Sequence, residues 1–354
     1  MQQVNQKERT RIEKLIKSIP KAEIHLHLEG VASVDTLWRL IKLHKLQIDG
    51  VSSRKDLVER FKIKSLDEFI WLFINILQNA FRNAEDLEFL IDDVEKYLLR
   101  NNIPYAEIFF APSKFIQNGL DFAQMMKILE SGAARLKREA DLEIKFIIDV
   151  SRTNGLANAQ NNLDLTLAHR NDSIIGIGLG GAESQGPAEE FQSVFEKARK
   201  AGLQVVAHAG EDVDSRSIWN TLKLLKATRI GHGISAIEDE KLLKLLKEKQ
   251  IPLEICPTSN VFTQKYVKRL EDHPIRPFFD RGINVTLNTD DPTLFSIELV
   301  GEYYNLYEHL DFNLEELFQI MKNTVYSSFM DDKAKDLFWS NAAKVISAAG
   351  YVAP

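Results

Sequence analysis

The sequence predicts an α/β chain closed into an eight-stranded (β/α)8 barrel of the TIM type, with a helical insertion after the first strand and additional C-terminal helices. Three observations predict it. Eight short runs rich in β-branched and apolar residues recur along the chain, each leaving through a polar or glycine-containing turn. The segments between them carry apolar residues at three- and four-residue spacing, as in DEKLLKLLKEKQ and AEDLEFLIDDVEKYLLRNN. No Pro/Gly/Ser-rich linker interrupts the alternation, so residues 1–354 read as one domain, and strands covered on both faces suit a closed barrel better than an open sheet.

The elements follow in order. The first strand is EIHLHLEG, from Glu23, and a long connection over residues 31–104 has room for three or four helices. These include the aromatic-rich SLDEFIWLFINILQNAF, which makes the insertion a possible lid over the barrel mouth or else an extra helix on the outer ring. Then come YAEIFFAP from Tyr105, EIKFIIDV from Glu143, IIGIGLGG from Ile174 and LQVVAHAG from Leu203. TRIGHG from Thr228, IPLEICPTSN from Ile251 and INVTLNTDD from Ile283 complete the set, and a helical tail over residues 313–349 closes the chain.

Composition narrows the function. With 44% hydrophobic and 27% charged residues the chain can build a sizeable core, and its formal charge of −6 gives no broad basic surface for nucleic acid or anionic membrane. Small or neutral partners fit better. The one cysteine, Cys256, excludes an intrachain disulfide and every zinc motif built from paired cysteines; it reads as a buried small hydrophobe. The N-terminal stretch has no apolar signal core, and the most apolar run is too short to cross a bilayer, so a cytoplasmic protein is expected.

In such a barrel the chemistry sits at the C-terminal strand ends. His25 and His27 are two apart on the first strand and share its inner face, either as hydrogen-bonded core residues or as ligands. His208 at the end of the fifth strand, with Asp290 and Asp291 at the end of the eighth, favours ligands: three imidazoles and a carboxylate make a site suited to zinc. Asp291 before Pro292 also has the pattern of a helix cap. Glu211, three residues after His208, is the expected general acid or base, and His232, between two glycines, is placed to take a proton or to orient hydroxide. His44, His169, His273 and His309 fall in helices or loops and read as solvated or structural. Gly176, Gly178 and Gly181 match G-x-G-x-x-G, but these glycines lie within the predicted strand instead of following it, which argues against a dinucleotide site. Residues 257–260, PTSN, read as a turn that supports the site through hydrogen bonds.

PKAEIHLHLEG, HAGE, RIGHG, CPTSN and LNTDDP, in this order and one per strand end, resemble the successive signatures of the adenosine deaminase family of metal-dependent amidohydrolases. The resemblance implies a single zinc held by His25, His27, His208 and Asp290, with a bound water as nucleophile. It makes Glu211 the donor to purine N1, His232 the group that deprotonates and orients the water, and Asp291 the partner of the water and of N7. The implied substrate-binding set is His27, Glu29, Gly181 and Asp291.

The expected reaction is hydrolytic deamination of adenosine, and of 2′-deoxyadenosine, to the inosine product and ammonia. Glu29 departs from the Asp usual in adenosine deaminases and resembles adenine deaminases, whereas Gly181 resembles the nucleoside branch. The GLGGAE segment is similar to that of relatives taking 5′-modified nucleosides such as aminodeoxyfutalosine. The alternatives are therefore adenine or a 5′-modified adenine nucleoside as substrate, and a metal-stabilised barrel that binds a nucleoside without turnover.

Overall fold

The computed structural model describes residues 6–62, 66–263 and 265–354. Eight parallel strands follow one another around the sheet in chain order. They are β1 (Ala22–His27), β2 (Tyr105–Phe110), β3 (Glu143–Asp149) and β4 (Ile174–Gly178), then β5 (Gln204–Ala209), β6 (Arg229–His232), β7 (Leu253–Ile255) and β8 (Val285–Leu287). The (β/α)8 architecture is as the sequence predicts, including the helices after β1 and the C-terminal pair Leu314–Ser327 and Asp332–Ala348.

Alternation explains the strands. Ala22, Ile24 and Leu26 are buried in β1, as are the intervening Glu23, His25 and His27, because one set meets the outer helices and the other the barrel interior. The interior holds its own small apolar layer, Phe109, Ile147 and Val206, with Ile175 and Phe329 packed against it. Below it, Arg229 stands 3.9 Å over the Phe329 ring and is paired with Glu107 and Glu254 at 2.6 and 2.5 Å. A buried cation needs such partners, and this triad ties β2, β6 and β7 together across the barrel.

The β8 to β1 seam is closed by unusual means. Asn288 Oδ1 accepts from the N–H groups of both Ile24 and His25, at 3.0 and 3.1 Å, where a further strand residue would otherwise pair. Asp290 then resumes the ladder, accepting from His27 N at 2.9 Å and donating to His25 O at 3.2 Å. It does so at φ 67°, a left-handed backbone that aspartate tolerates better than most side chains and that the two ladder bonds hold here.

Three expectations change in detail. PTSN is the start of a helix, Pro257–Thr263, and not a turn; Pro257 at its start has no N–H to lose, so it helps to open the helix. Asp291 stands at the N-cap position of Pro292–Phe295, yet its side chain makes no capping bond and stays available to the barrel mouth. Gly181 lies beyond β4 and not within it.

Candidate active site

The residues that close the barrel also build the site. His25, His208, His232 and Asp290 each bring one ligand-type atom within 4.8 Å of the others, all buried. His27 joins the same cluster, with Nε2 3.1 Å from Asp290 Oδ1 and 3.3 Å from His208 Nε2. Asp290 arrives on its left-handed backbone and is braced by the Ser259 hydroxyl, which donates to Oδ2 at 2.7 Å. His25 Nδ1 lies 2.7 Å from Glu254 Oε2, and the other oxygen of that carboxylate is held by Arg229.

Electrostatics marks the cluster as a cation site. Burial would raise Asp290, but the imidazoles of His25 and His27 beside it hold it well below the usual carboxylate range. Burial depresses His208 far below an ordinary histidine, and the neighbouring imidazoles of His25, His232 and His27 add to this. The buried nitrogens His25 Nε2, His208 Nδ1 and His232 Nε2 have no hydrogen-bond partner. Unpaired buried polar atoms are costly, and a metal ion held by imidazole and carboxylate would satisfy the one on His25, which lies 3.4 Å from Asp290 Oδ1. The donor set fits a metal.

Around this centre stand groups of different charge state. Glu211 sits on the turn after β5, where Glu183 accepts from the N–H groups of Gly210 and Glu211 at 2.9 and 3.1 Å. Burial pushes the Glu211 carboxyl well above the ordinary range, helped by the negative charges of Asp290 and Glu183. His232 Nε2 faces it at 3.4 Å, and burial lowers this imidazole to about 3, so it is neutral. Arg152, itself buried, donates to the carbonyl oxygens of His208 and Gly186 and so fixes the end of β5.

Asp291 is pushed up to about 8, first by burial and then by Asp290 beside it. Gly30 explains its placement: a Cβ there would stand 2.7 Å from Asp291 Cα, so only glycine lets the β1 and β8 loops meet this closely. Glu29 is fully buried, with Oε1 accepting from Ala111 N at 3.2 Å and from Gln78 at 3.4 Å, while Oε2 has no partner. Burial raises it to about 7. Gly181 has φ 91°, and a Cβ would come within 2.6 Å of Thr153 Oγ1.

Comparison with known proteins shows the family. The family model described as "Adenosine deaminase" matches residues 20–345. The chain belongs to the adenosine deaminase family. Aminodeoxyfutalosine deaminase of Streptomyces avermitilis is 33% identical over 90% of this chain and 89% of its own. Adenosine deaminase of Shewanella denitrificans is 32% identical over 92% and 99% respectively. The crystal structure of adenine deaminase from Arthrobacter aurescens superimposes with a TM-score of 0.88, at 27% identity, covering 93% of this chain and 99% of that one. Members of this deaminase family hydrolyse C–N bonds of cyclic amidines, and this chain is an enzyme of that class.

The residues singled out in the sequence converge: His25, His27, His208, Glu211, His232, Asp290 and Asp291 lie together at the C-terminal strand ends, with Glu29 beside Asp291. Sequence reasoning missed Glu254, Glu183 and Arg152, whose partners lie on distant segments of the chain. It set His273 aside with the solvated or structural histidines; it is in fact buried, bonded to the same Asn260 that contacts His232. Cys256 is buried and its thiol is pushed up by burial, as expected for a packing residue. Among the described residues no helix is long and apolar enough to cross a membrane.

Proposed function

We propose that this protein is a zinc-dependent aminohydrolase that converts adenosine, and 2′-deoxyadenosine, to the corresponding inosine and ammonia. The observation that carries the reading is a buried cluster of imidazoles and carboxylate, His25, His27, His208 and Asp290, beside a pair of carboxyls pushed in opposite directions: Asp290 is held well below the usual carboxylate range and burial pushes Glu211 well above it. His25, His27, His208 and Asp290 would hold the zinc. Zinc held there would supply Lewis-acid activation of water near neutral pH, so that no strong base is needed.

The chain's own groups do the rest. Glu211 gives its proton to ring N1, which makes C6 electrophilic and offsets the charge that builds in the ring. Asp291, left uncapping and raised in pKa, is free to bond the purine at N7. Gly181 keeps the base's edge clear of a side chain, and Glu29 offers Oε2 to the far end of the substrate. The insertion over residues 31–104 is proposed to cover the mouth. The near-parallel stacking of Phe69 on Phe295, 5.4 Å apart at 7°, supports this, since Phe295 ends the short helix that Asp291 precedes.

Glu29 also favours a second reading, in which adenine or a 5′-modified adenine nucleoside is the natural substrate. Its unpartnered oxygen sits one methylene further out than an aspartate's would, and a similar enzyme acts on aminodeoxyfutalosine. Turnover of adenosine, 2′-deoxyadenosine, adenine and 5′-substituted adenosines, followed as ammonia release and loss of the adenine absorbance, separates these substrates. Absence of turnover on all of them by zinc-loaded protein overturns the deaminase reading.

A further inference from the structure

We propose that His273 and Asn260 form a positioning relay, anchored on a main-chain N–H, that holds His232 with its proton on Nε2 and so presents an N–H, not a lone pair, to the reaction centre. The relay is a chain of hydrogen bonds whose direction is forced at one end. Ile275 N donates to His273 Nδ1 at 3.1 Å. A backbone N–H can only donate, so Nδ1 of His273 is the acceptor and its proton is on Nε2. That Nε2 lies 3.2 Å from Asn260 Oδ1, which must then be the amide oxygen. The Asn260 Nδ2 group is thereby turned to His232 Nδ1, 3.0 Å away, and donates to it.

With Nδ1 accepting, neutral His232 carries its proton on Nε2, the atom that faces Glu211 Oε2 at 3.4 Å. All three side chains are buried, so no solvent competes for these bonds. Turning the Asn260 amide over would set two donors against each other at His273 or leave its Nδ1–H against Ile275 N–H. The left-handed backbone of His232, φ 59°, adds to the fixed placement of the ring.

The polarity also sorts the imidazoles drawn into the site. His25 Nδ1 meets the carboxylate of Glu254, which can only accept, so His25 turns a lone pair on Nε2 inward, as a metal ligand must. His232 is set the opposite way. It is therefore a donor that orients a reacting oxygen, and His27 completes the ligand set in its place. Acting through His232, His273 and Asn260 are positioning residues; the proposal depends on the deaminase reading only for its kinetic consequence.

The test is the tautomer itself. In protein labelled with 15N-histidine, two-bond 1H–15N spectra assigned with His232→Asn should show both His232 and His273 protonated on Nε2. Asn260→Asp is nearly isosteric but offers only acceptors to His232. It should move His232 to the Nδ1–H form or to imidazolium and lower kcat by about a hundred- to ten-thousand-fold, with KM changed less than about threefold. His273→Gln keeps a donor near the Nε2 position and should retain the His232 tautomer and most of kcat, whereas His273→Phe should lose both. This second pair carries the comparison if Asn260→Asp does not fold. His232 protonated on Nδ1 in the unaltered protein, or Gln and Phe variants alike in tautomer and kcat, overturns the relay. The spectra need no substrate. A chain with the stated tautomers that deaminates no purine sinks the deaminase reading alone, and an active chain with Nδ1–H His232 sinks the relay alone.

Discussion

Glu254→Gln is the substitution that probes most of the site at once. The carboxylate accepts from His25 Nδ1 through one oxygen and from Arg229 Nε through the other, at 2.7 and 2.5 Å. A glutamine can satisfy only one of them, because its amide nitrogen would meet a donor on the other side. If it keeps Arg229, it presents N–H to His25, which must then shift its proton to Nε2 and lose the lone pair a metal needs. Removing an orienting partner of a ligating histidine costs about ten- to a hundredfold in metal affinity, or about 1.4–2.7 kcal/mol. Stability falls as well: breaking a buried ion pair costs about 3–5 kcal/mol, and the lower end applies because Glu107 still holds Arg229 at 2.6 Å. The assay is a chelator competition for zinc affinity alongside thermal unfolding of the metal-free protein. Unchanged zinc affinity in a folded variant would refute the reasoning that Glu254 sets the His25 tautomer.

Three further outcomes follow from particular residues. Glu211→Gln, which cannot give up a proton, should lower kcat by about a hundred- to ten-thousand-fold while zinc content stays at the wild-type level; wild-type ammonia release would remove Glu211 as the N1 donor. Gly30→Ala places a Cβ 2.7 Å from Asp291 Cα, where backbone must move. It should cost about 1–3 kcal/mol in denaturant unfolding and displace Asp291, seen as reduced turnover; a silent substitution would mean the loops separate freely. Glu302, buried with Thr258 N–H donating to it at 2.9 Å, is raised by burial to about 7. A folded pKa above the unfolded value means a contribution fully present below about pH 4.5 and lost as pH rises through 7, worth about 3 kcal/mol. Glu302→Gln should therefore lose less stability than wild type between pH 5 and 8, and parallel stability curves would show that this carboxyl does not titrate there.

The barrel was readable because buried parallel strands write themselves as short apolar runs, and because histidines and aspartates at strand ends stand out from that background. His25, His27, His208, Glu211, His232, Asp290 and Asp291 each sit within a few residues of such an end. What was hidden depends on contacts between distant segments. Asn288 looks like one more polar residue after a strand until its side chain is seen replacing a ladder bond across 264 positions to Ile24. Glu254 alternates with apolar neighbours as any strand residue does, and only the fold brings Arg229 and His25 to its two oxygens. His273 lies outside every strand, and its role needs the Pro257–Thr263 helix to carry Asn260 between it and His232. Local pattern reports burial and period; it does not report which buried polar groups meet.

The most direct measurement is a titration of metal-free protein with zinc while ammonia release from adenosine, adenine and 5′-substituted adenosines is recorded. The account predicts that release from at least one of them rises linearly and saturates at a single zinc per chain. Full activity in chelator-stripped protein, or a zinc-saturated chain that releases ammonia from none of these purines, would contradict it.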